Sequence, residues 1–313
     1  SVTAALARAF FELSIKPHKV AKISGIGCSS KTTSYLLKEA HGANTVHGRM
    51  PSFATGAMAA NTSLTYFGVS GDGDSLSIGI GQMIHAMRRN ANMLYVLENN
   101  GVYGLTKGQY SPTSKVGTRS PSTPMGSLDN PASATEFALG CGARFVARGI
   151  DTKQKHLPEV FKRARDHKGA SFVEVFQNCI VYNDGVYGHF TDKTVADDQQ
   201  IVCRHGEPLI FGKDSDKGLR FLPEKLKLEV IDIGKDAKTI DDVLVHDETN
   251  KLMAQLLASL KSPDFPTAIG VLYCEPGPTY DDEVKKQLEA EIGGKSDADF
   301  NEILKSGSTW AVD

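Results

Sequence analysis

The sequence predicts an α/β fold built on an open, mostly parallel sheet with a C-terminal extension. Three observations carry this. Short apolar runs suited to buried strands recur at residues 19–24, 64–70, 93–98 and 171–176; strands covered on both faces read as near-continuous hydrophobic stretches. Segments with helical periodicity lie between them, and strand–helix–strand alternation is the signature of βαβ units. Glycine turns close the first two runs, at Gly25-Ile26-Gly27 and Gly71-Asp72-Gly73-Asp74, where backbone must bend or approach a neighbour closely.

Taken in order, residues 4–13 (AALARAFFEL) place apolar side chains on a helical period among good helix formers. Residues 19–24 form a strand, and a helix is expected over 32–41. Residues 64–70 (LTYFGVS) form the next strand, and 77–89 a helix whose basic C-terminal end favours its dipole. Residues 93–98 (MLYVLE) are a buried strand, whereas 106–131 are a polar surface loop, long enough to suggest function. Residues 145–147, 156–168 and 171–176 supply another strand–helix–strand. From about residue 198 the texture changes, with mixed charge and few strong strands before 267–273 (TAIGVLY). The division expected is therefore 1–198 as the site-bearing domain and 199–313 as an extension packed on it.

The 313 residues are 40% hydrophobic and 23% charged, with a formal charge of −2. These values disfavour disorder and offer no field that would draw nucleic acid or a membrane surface. No apolar stretch reaches the ~20 residues of a membrane span and no signal-peptide pattern opens the chain, so a cytoplasmic location is expected. Five cysteines without a CxxC pair argue against a disulfide framework and a self-contained zinc site.

Chemistry concentrates where Gly71-Asp72-Gly73 and Asn99-Asn100 end successive strands of one βαβ unit. Glycines let backbone amides approach an anion, and the helix N-terminus after them adds favourable partial charge. Oxygens from Asp72 and the asparagine pair suit Mg²⁺, which takes octahedral oxygen coordination shared with substrate phosphates. The parts describe a site for a metal-bound diphosphate.

These residues also resemble the thiamine-diphosphate signature, and six ordered blocks resemble one family. SGIGCSSK (24–31), HGRMPSFATGAMAAN (47–61), GDGDSLSIG (71–79), HAMRRN (85–90), NNGVYGLTKGQYSPT (99–113) and QNCIVYNDG (177–185) are similar to the β subunit of 2-oxoacid:ferredoxin oxidoreductases, most of all the 2-oxoglutarate type. The resemblance implies a sheet of the thiamine-diphosphate-binding type. It implies Mg²⁺ ligands from the Asp72 carboxylate, the Asn100 side chain and the Val102 carbonyl. Gly73 and Asp74 would meet the diphosphate, with Ser29, Ser30 and Thr106 assisting and Gly48, Gly71 and Gly104 lining the pocket. His47 and Arg49 either line that pocket or pack structurally. Lys31 and Lys107 stand where the family places cations near substrate carboxylates, though each also reads as a solvated loop lysine. Leu105 would be an apolar wall of the substrate pocket.

Family members hold a [4Fe–4S] cluster on four cysteines, two of them in an N-terminal CPGCG motif. Cys28 and Cys179 match the other two positions. The chain starts at Ser1, and its first residues resemble the segment directly after that motif in family members. The two remaining ligands are therefore expected upstream of Ser1, and this chain alone would not complete the cluster.

The implied activity is CoA-dependent oxidative decarboxylation of a 2-oxoacid to an acyl-CoA and CO₂, with electrons leaving through iron–sulfur to ferredoxin. The implied partner is an α subunit that supplies the carboxylate for the aminopyrimidine ring, in an α2β2 or similar heteromer. Three other readings are compatible with the sequence: pyruvate or broad 2-oxoacid specificity, a thiamine-dependent decarboxylase or carboligase without iron–sulfur, and a cofactor-holding scaffold.

Overall fold

In the computed structural model, which describes residues 1–293 and 300–312, the strands are β1 (Val20–Ser24), β2 (His41–Asn44), β3 (Thr65–Gly71), β4 (Met93–Asn99), β5 (Val102–Tyr103), β6 (Gln109–Tyr110), β7 (Phe145–Ile150), β8 (Ser171–Phe176), β9 (Gln200–Cys203), β10 (Ile210–Phe211), β11 (Lys217–Leu222), β12 (Lys227–Asp232) and β13 (Thr267–Cys274). Eight of them form one sheet in the order β2-β1-β3-β4-β8-β7-β13-β9. All its neighbours pair parallel except β13 with β7.

Strand β4 shows why the sheet is buried on both sides. Side chains alternate across a strand, so Leu94 and Val96 enter one hydrophobic layer while Met93, Tyr95 and Leu97 enter the other. The first layer is filled by Leu6 and Phe10 of the helix Val2–Glu12 and by Leu157 and Phe161 of the helix Leu157–Asp166. The second is filled by Met50 and Met58 of Met50–Ala60 and by Met83 and Met87 of Ile80–Arg88. Each such buried side chain contributes roughly 1.5–3 kcal/mol. Because β1, β3, β4 and β8 run parallel as neighbours, the turns after Ser24, Gly71, Asn99 and Phe176 all emerge at one edge.

Two elements differ from the sequence expectation. The helix expected over 32–41 is only the turn Thr32–Tyr35, and the chain then forms edge strand β2. β2 is polar and largely exposed; pairing with β1 makes it a strand, not its own pattern. The helix expected over 77–89 is preceded by a π-helical turn, Asp74–Ile78, and runs from Ile80 to Arg88. In the last third, β9 and β13 complete the main sheet, while β10, β11 and β12 form a separate antiparallel sheet. Among the described residues, no helix is long and apolar enough to cross a membrane.

One half-buried histidine sets an acid limit on this fold. Burial, with Lys153 and Arg204 nearby, pushes the His156 imidazole down to about 4. The unfolded chain takes up that proton near 6.5 and the folded chain only near 4, so stability is lost as pH falls through this window and levels off below it. The loss expected from this group is up to about 3 kcal/mol. Denaturant titrations at pH 7 and pH 4.5 check it: His156→Gln should narrow the gap between them, and an unchanged gap would exclude His156 as its source.

Candidate functional site

Strand β3 delivers Asp72 to the carboxyl edge with 1% of its surface exposed. Thr113 Oγ1 donates to its Oδ2 at 2.7 Å, and Ser111 Oγ donates to the same oxygen. Burial pushes this carboxyl up, and donation from Ser111, Thr113 and the backbone N–H groups of Asp72 and Asn100 pulls it back. None of these partners is a cation, so the buried carboxyl stands with neutral donors only. Next to it, Gly73 is required for close approach: a Cβ there would lie 2.2 Å from the Tyr103 ring, whose hydroxyl donates to the Gly73 carbonyl at 3.1 Å.

Asp74 faces inward. Its Oδ1 accepts from Gly48 N–H at 2.7 Å and lies against His47 Nδ1, and its Oδ2 accepts from Ser70 Oγ. A Cβ on Gly25 would strike that same Oδ2. Asp74 thereby ties the turns at Gly25 and His47–Gly48 to the end of β3, and both of its oxygens are taken by protein groups.

Strand β4 ends in two asparagines that do different things. Asn100 has its Oδ1 on the Val102 N–H at 3.3 Å and its amide toward Ser29 Oγ at 3.4 Å and Gln177 Oε1 at 3.3 Å. Asn99 points away from the cleft: its amide donates to Glu174 at 2.8 Å, and its Oδ1 accepts from Tyr187 at 2.7 Å. Ser30 Oγ, buried beside Ser29, finds no partner among the described residues.

The structure gathers the expected residues Ser29, His47, Gly71, Asp72, Gly73 and Asp74, together with Asn100, Val102, Gly104, Leu105 and Thr106, around one cleft of about 80 Å³. Ser30, Gly48 and Arg49 do not line it; Gly48 is tied to it through Asp74, and Arg49 donates to the Ile78 carbonyl at 3.3 Å. Leu105 is 50% exposed at its rim. Lys31 and Lys107 are exposed, and Lys107 holds a left-handed backbone, φ 77°, in a turn closed by Gly108 N–H on the Tyr103 carbonyl at 2.9 Å. A buried carboxyl without a cationic partner, the Asn100 side chain beside it and a glycine-cleared backbone fit a hard cation and its diphosphate.

A second hollow of about 240 Å³ adjoins the first and is lined by Cys28, Cys179 and Glu98. Both sulfurs lie within 4 Å of one point above Gly104, so they are at most twice that distance apart. Ser1 is at the same edge: its hydroxyl is 3.4 Å from Asp151 Oδ2, and the Asn178 N–H also bonds Asp151. Two converging thiols meet half of a four-thiolate ligand set, and among the described residues no group of three or more metal-ligating side chains is assembled.

Sequence reasoning missed Tyr103, Ser111, Thr113 and Glu98. The first three sit in or beside a loop without periodicity. Glu98 had a signal, an acid closing the apolar run MLYVLE. It is buried, accepts from Thr32 Oγ1 at 2.6 Å, and burial pushes its carboxyl up to about 7.

Residues 25–175 match the family described as thiamine pyrophosphate enzyme, C-terminal TPP binding domain. The chain is 40% identical to the 2-oxoglutarate oxidoreductase subunit KorB of Mycobacterium tuberculosis, over 96% of this chain and 80% of that one. It is 43% identical to the 2-oxoacid:ferredoxin oxidoreductase subunit beta of Saccharolobus solfataricus, over 60% of this chain and 62% of the relative. Among solved structures, 2-oxoglutarate:ferredoxin oxidoreductase from Magnetococcus marinus, with 2-oxoglutarate, coenzyme A and succinyl-CoA bound, is similar at 32% identity and a TM-score of 0.75, covering 98% of this chain and 89% of that one.

Proposed function

Because the chain belongs to the β subunits of the 2-oxoacid:ferredoxin oxidoreductases, we propose that its cleft holds the Mg²⁺–diphosphate end of thiamine diphosphate for CoA-dependent oxidative decarboxylation of 2-oxoglutarate to an acyl-CoA and CO₂. The observation that carries this is the buried Asp72 carboxylate, which meets only neutral donors and lies in one cleft with Asn100 from the adjacent strand end.

Asp72 and Asn100 supply side-chain oxygens to the cation, and Val102 its carbonyl. Gly73 brings backbone to the diphosphate, and Ser29 offers a hydroxyl donor there, whereas the Ser30 hydroxyl is buried outside the cleft lining. Asp74, at the cleft wall, keeps the turns at Gly25 and His47–Gly48 in place while its oxygens are engaged by Gly48, His47 and Ser70. The cofactor, when bound, supplies a carbanion at its thiazolium carbon toward the 2-oxoacid carbonyl. A cleft of about 80 Å³ is several-fold smaller than the roughly 300–1,000 Å³ that enclose a small molecule, which supports completion of the site by an α subunit in an α2β2-type heteromer. In this reading that subunit supplies the carboxylate for the aminopyrimidine ring. Cys28 and Cys179 would supply two of the four thiolates of a [4Fe–4S] cluster, ferredoxin takes the electrons, and the enzyme works in the cytoplasm.

Lys107 supports the choice of substrate. Its left-handed backbone costs an ordinary residue roughly 1–2 kcal/mol and is sustained by the turn that presents it beside Leu105 and Thr106. A dicarboxylic 2-oxoacid offers a distal charge for it to meet, and pyruvate does not. Lys107→Ala is therefore expected to raise KM for 2-oxoglutarate about tenfold and to leave that for pyruvate within a factor of two. Equal effects on both would remove Lys107 as the basis for substrate preference.

The test of the activity itself is the complex purified without air and assayed for CoA-dependent viologen reduction with 2-oxoglutarate and pyruvate side by side. Reduction with 2-oxoglutarate is expected. Reduction with pyruvate alone would correct the substrate, and none with either would overturn the proposal.

A further inference from the structure

We propose that the buried Arg148–Glu174 ion pair is a positioning device for the cation-binding carboxylate, acting on Asp72 through Asn99 and Thr113. The inference rests on the assignment of Asp72 to the cation.

Arg148 and Glu174 face each other across neighbouring strands β7 and β8, 5% and 2% exposed. Arg148 Nε donates to Glu174 Oε2 at 3.0 Å. The rest of the guanidinium is fixed by the Thr135 hydroxyl and by the carbonyls of Ala258 and Ala268, each at 3.4 Å. An apolar pair of similar volume would often serve stability as well as a buried ion pair, or better. A role in orientation accounts for this one, because Glu174 keeps its second oxygen for the site.

That oxygen, Oε1, accepts from Asn99 Nδ2 at 2.8 Å. The bond fixes the carboxamide with its Oδ1 toward Tyr187 Oη at 2.7 Å and Gly101 N–H at 3.3 Å. Thr113 Oγ1 lies between two oxygens, 2.8 Å from Asn99 Oδ1 and 2.7 Å from Asp72 Oδ2. A hydroxyl has one proton to donate. While Tyr187 and Gly101 satisfy Asn99, the Thr113 proton is available to Asp72 and holds its carboxylate in one orientation. Loosening Asn99 from Glu174 lets the carboxamide turn and draws that proton away. The path crosses four adjacent strands, from β7 through β8 and β4 to the end of β3, and ties the cation site to the helix Lys251–Ser259 and strand β13.

The experiment titrates Mg²⁺ into the purified complex with thiamine diphosphate present, by calorimetry, beside thermal unfolding of each variant. Thr113→Val is expected to weaken Mg²⁺ binding about tenfold and Thr113→Ser to restore it. Glu174→Gln, which touches nothing in the cleft, is expected to weaken it about threefold to tenfold, yet to add nothing in the Thr113→Val background. If Glu174→Gln does not fold, Tyr187→Phe reads the same carboxamide from its other side, with the same loss expected and the same disappearance in Thr113→Val. A loss of equal size in both backgrounds, or a lowered melting temperature with unchanged Mg²⁺ affinity, overturns the proposal. Asp72→Ala keeps the two failures apart: wild-type Mg²⁺ affinity in that variant would sink the cation site itself.

Discussion

Asp72→Ala is expected to abolish thiamine-diphosphate binding, with affinity falling at least a hundredfold. Two effects add. The substitution removes an anionic oxygen from a hard-cation site, which leaves the diphosphate charge without compensation. It also deprives the Ser111 hydroxyl and the backbone N–H groups that converge on the carboxylate of that acceptor, at about 1–3 kcal/mol for each buried donor left unpaired, while Thr113 can turn to Asn99 Oδ1. Asp72→Asn keeps the shape and one oxygen but loses the charge, so an intermediate loss is expected. Calorimetry with Mg²⁺ and thiamine diphosphate reads both, and a melting curve separates loss of ligand from loss of fold. Affinity equal to wild type in the alanine variant would remove Asp72 from the site.

Cys28→Ala and Cys179→Ala should each strip iron from the complex, from about four atoms per β subunit toward none, and with it the transfer of electrons to ferredoxin. The two sulfurs come from loops after β1 and β8, far apart in sequence, yet both lie within 4 Å of one point above Gly104. Cys141→Ala is the control, since that residue comes directly after the helix Ala134–Gly140 and lines neither hollow. Iron content unaffected by both substitutions would leave Cys28 and Cys179 as ordinary thiols.

The strands at the centre of the sheet and the loops that carry the site were legible because their causes are local or periodic. β4 alternates Met93, Tyr95 and Leu97 with Leu94 and Val96, all apolar because both faces are covered. Gly71-Asp72-Gly73 and Asn99-Asn100 announce themselves by residue type, and parallel strands must end at one edge. The residues around the cleft were therefore named almost completely from sequence.

What remained hidden depends on contacts between distant segments. β2 has no strand pattern of its own and exists by pairing with β1. The two asparagines look equivalent in sequence, but β4 turns Asn100 into the cleft and Asn99 toward Glu174 and Tyr187. Asp74 reads as a diphosphate neighbour, while its carboxylate is taken by His47, Gly48 and Ser70. Ser111 and Thr113 reach Asp72 from a loop without periodicity. By itself the sequence determined the central strands of the sheet and the glycine, carboxylate and asparagine positions at their ends, because hydrophobic period and backbone freedom are properties of neighbouring residues. Only the tertiary structure decided which oxygens face the cleft and which are held by the protein, because a hydrogen bond is settled by distance in space, and separation along the chain does not set that distance.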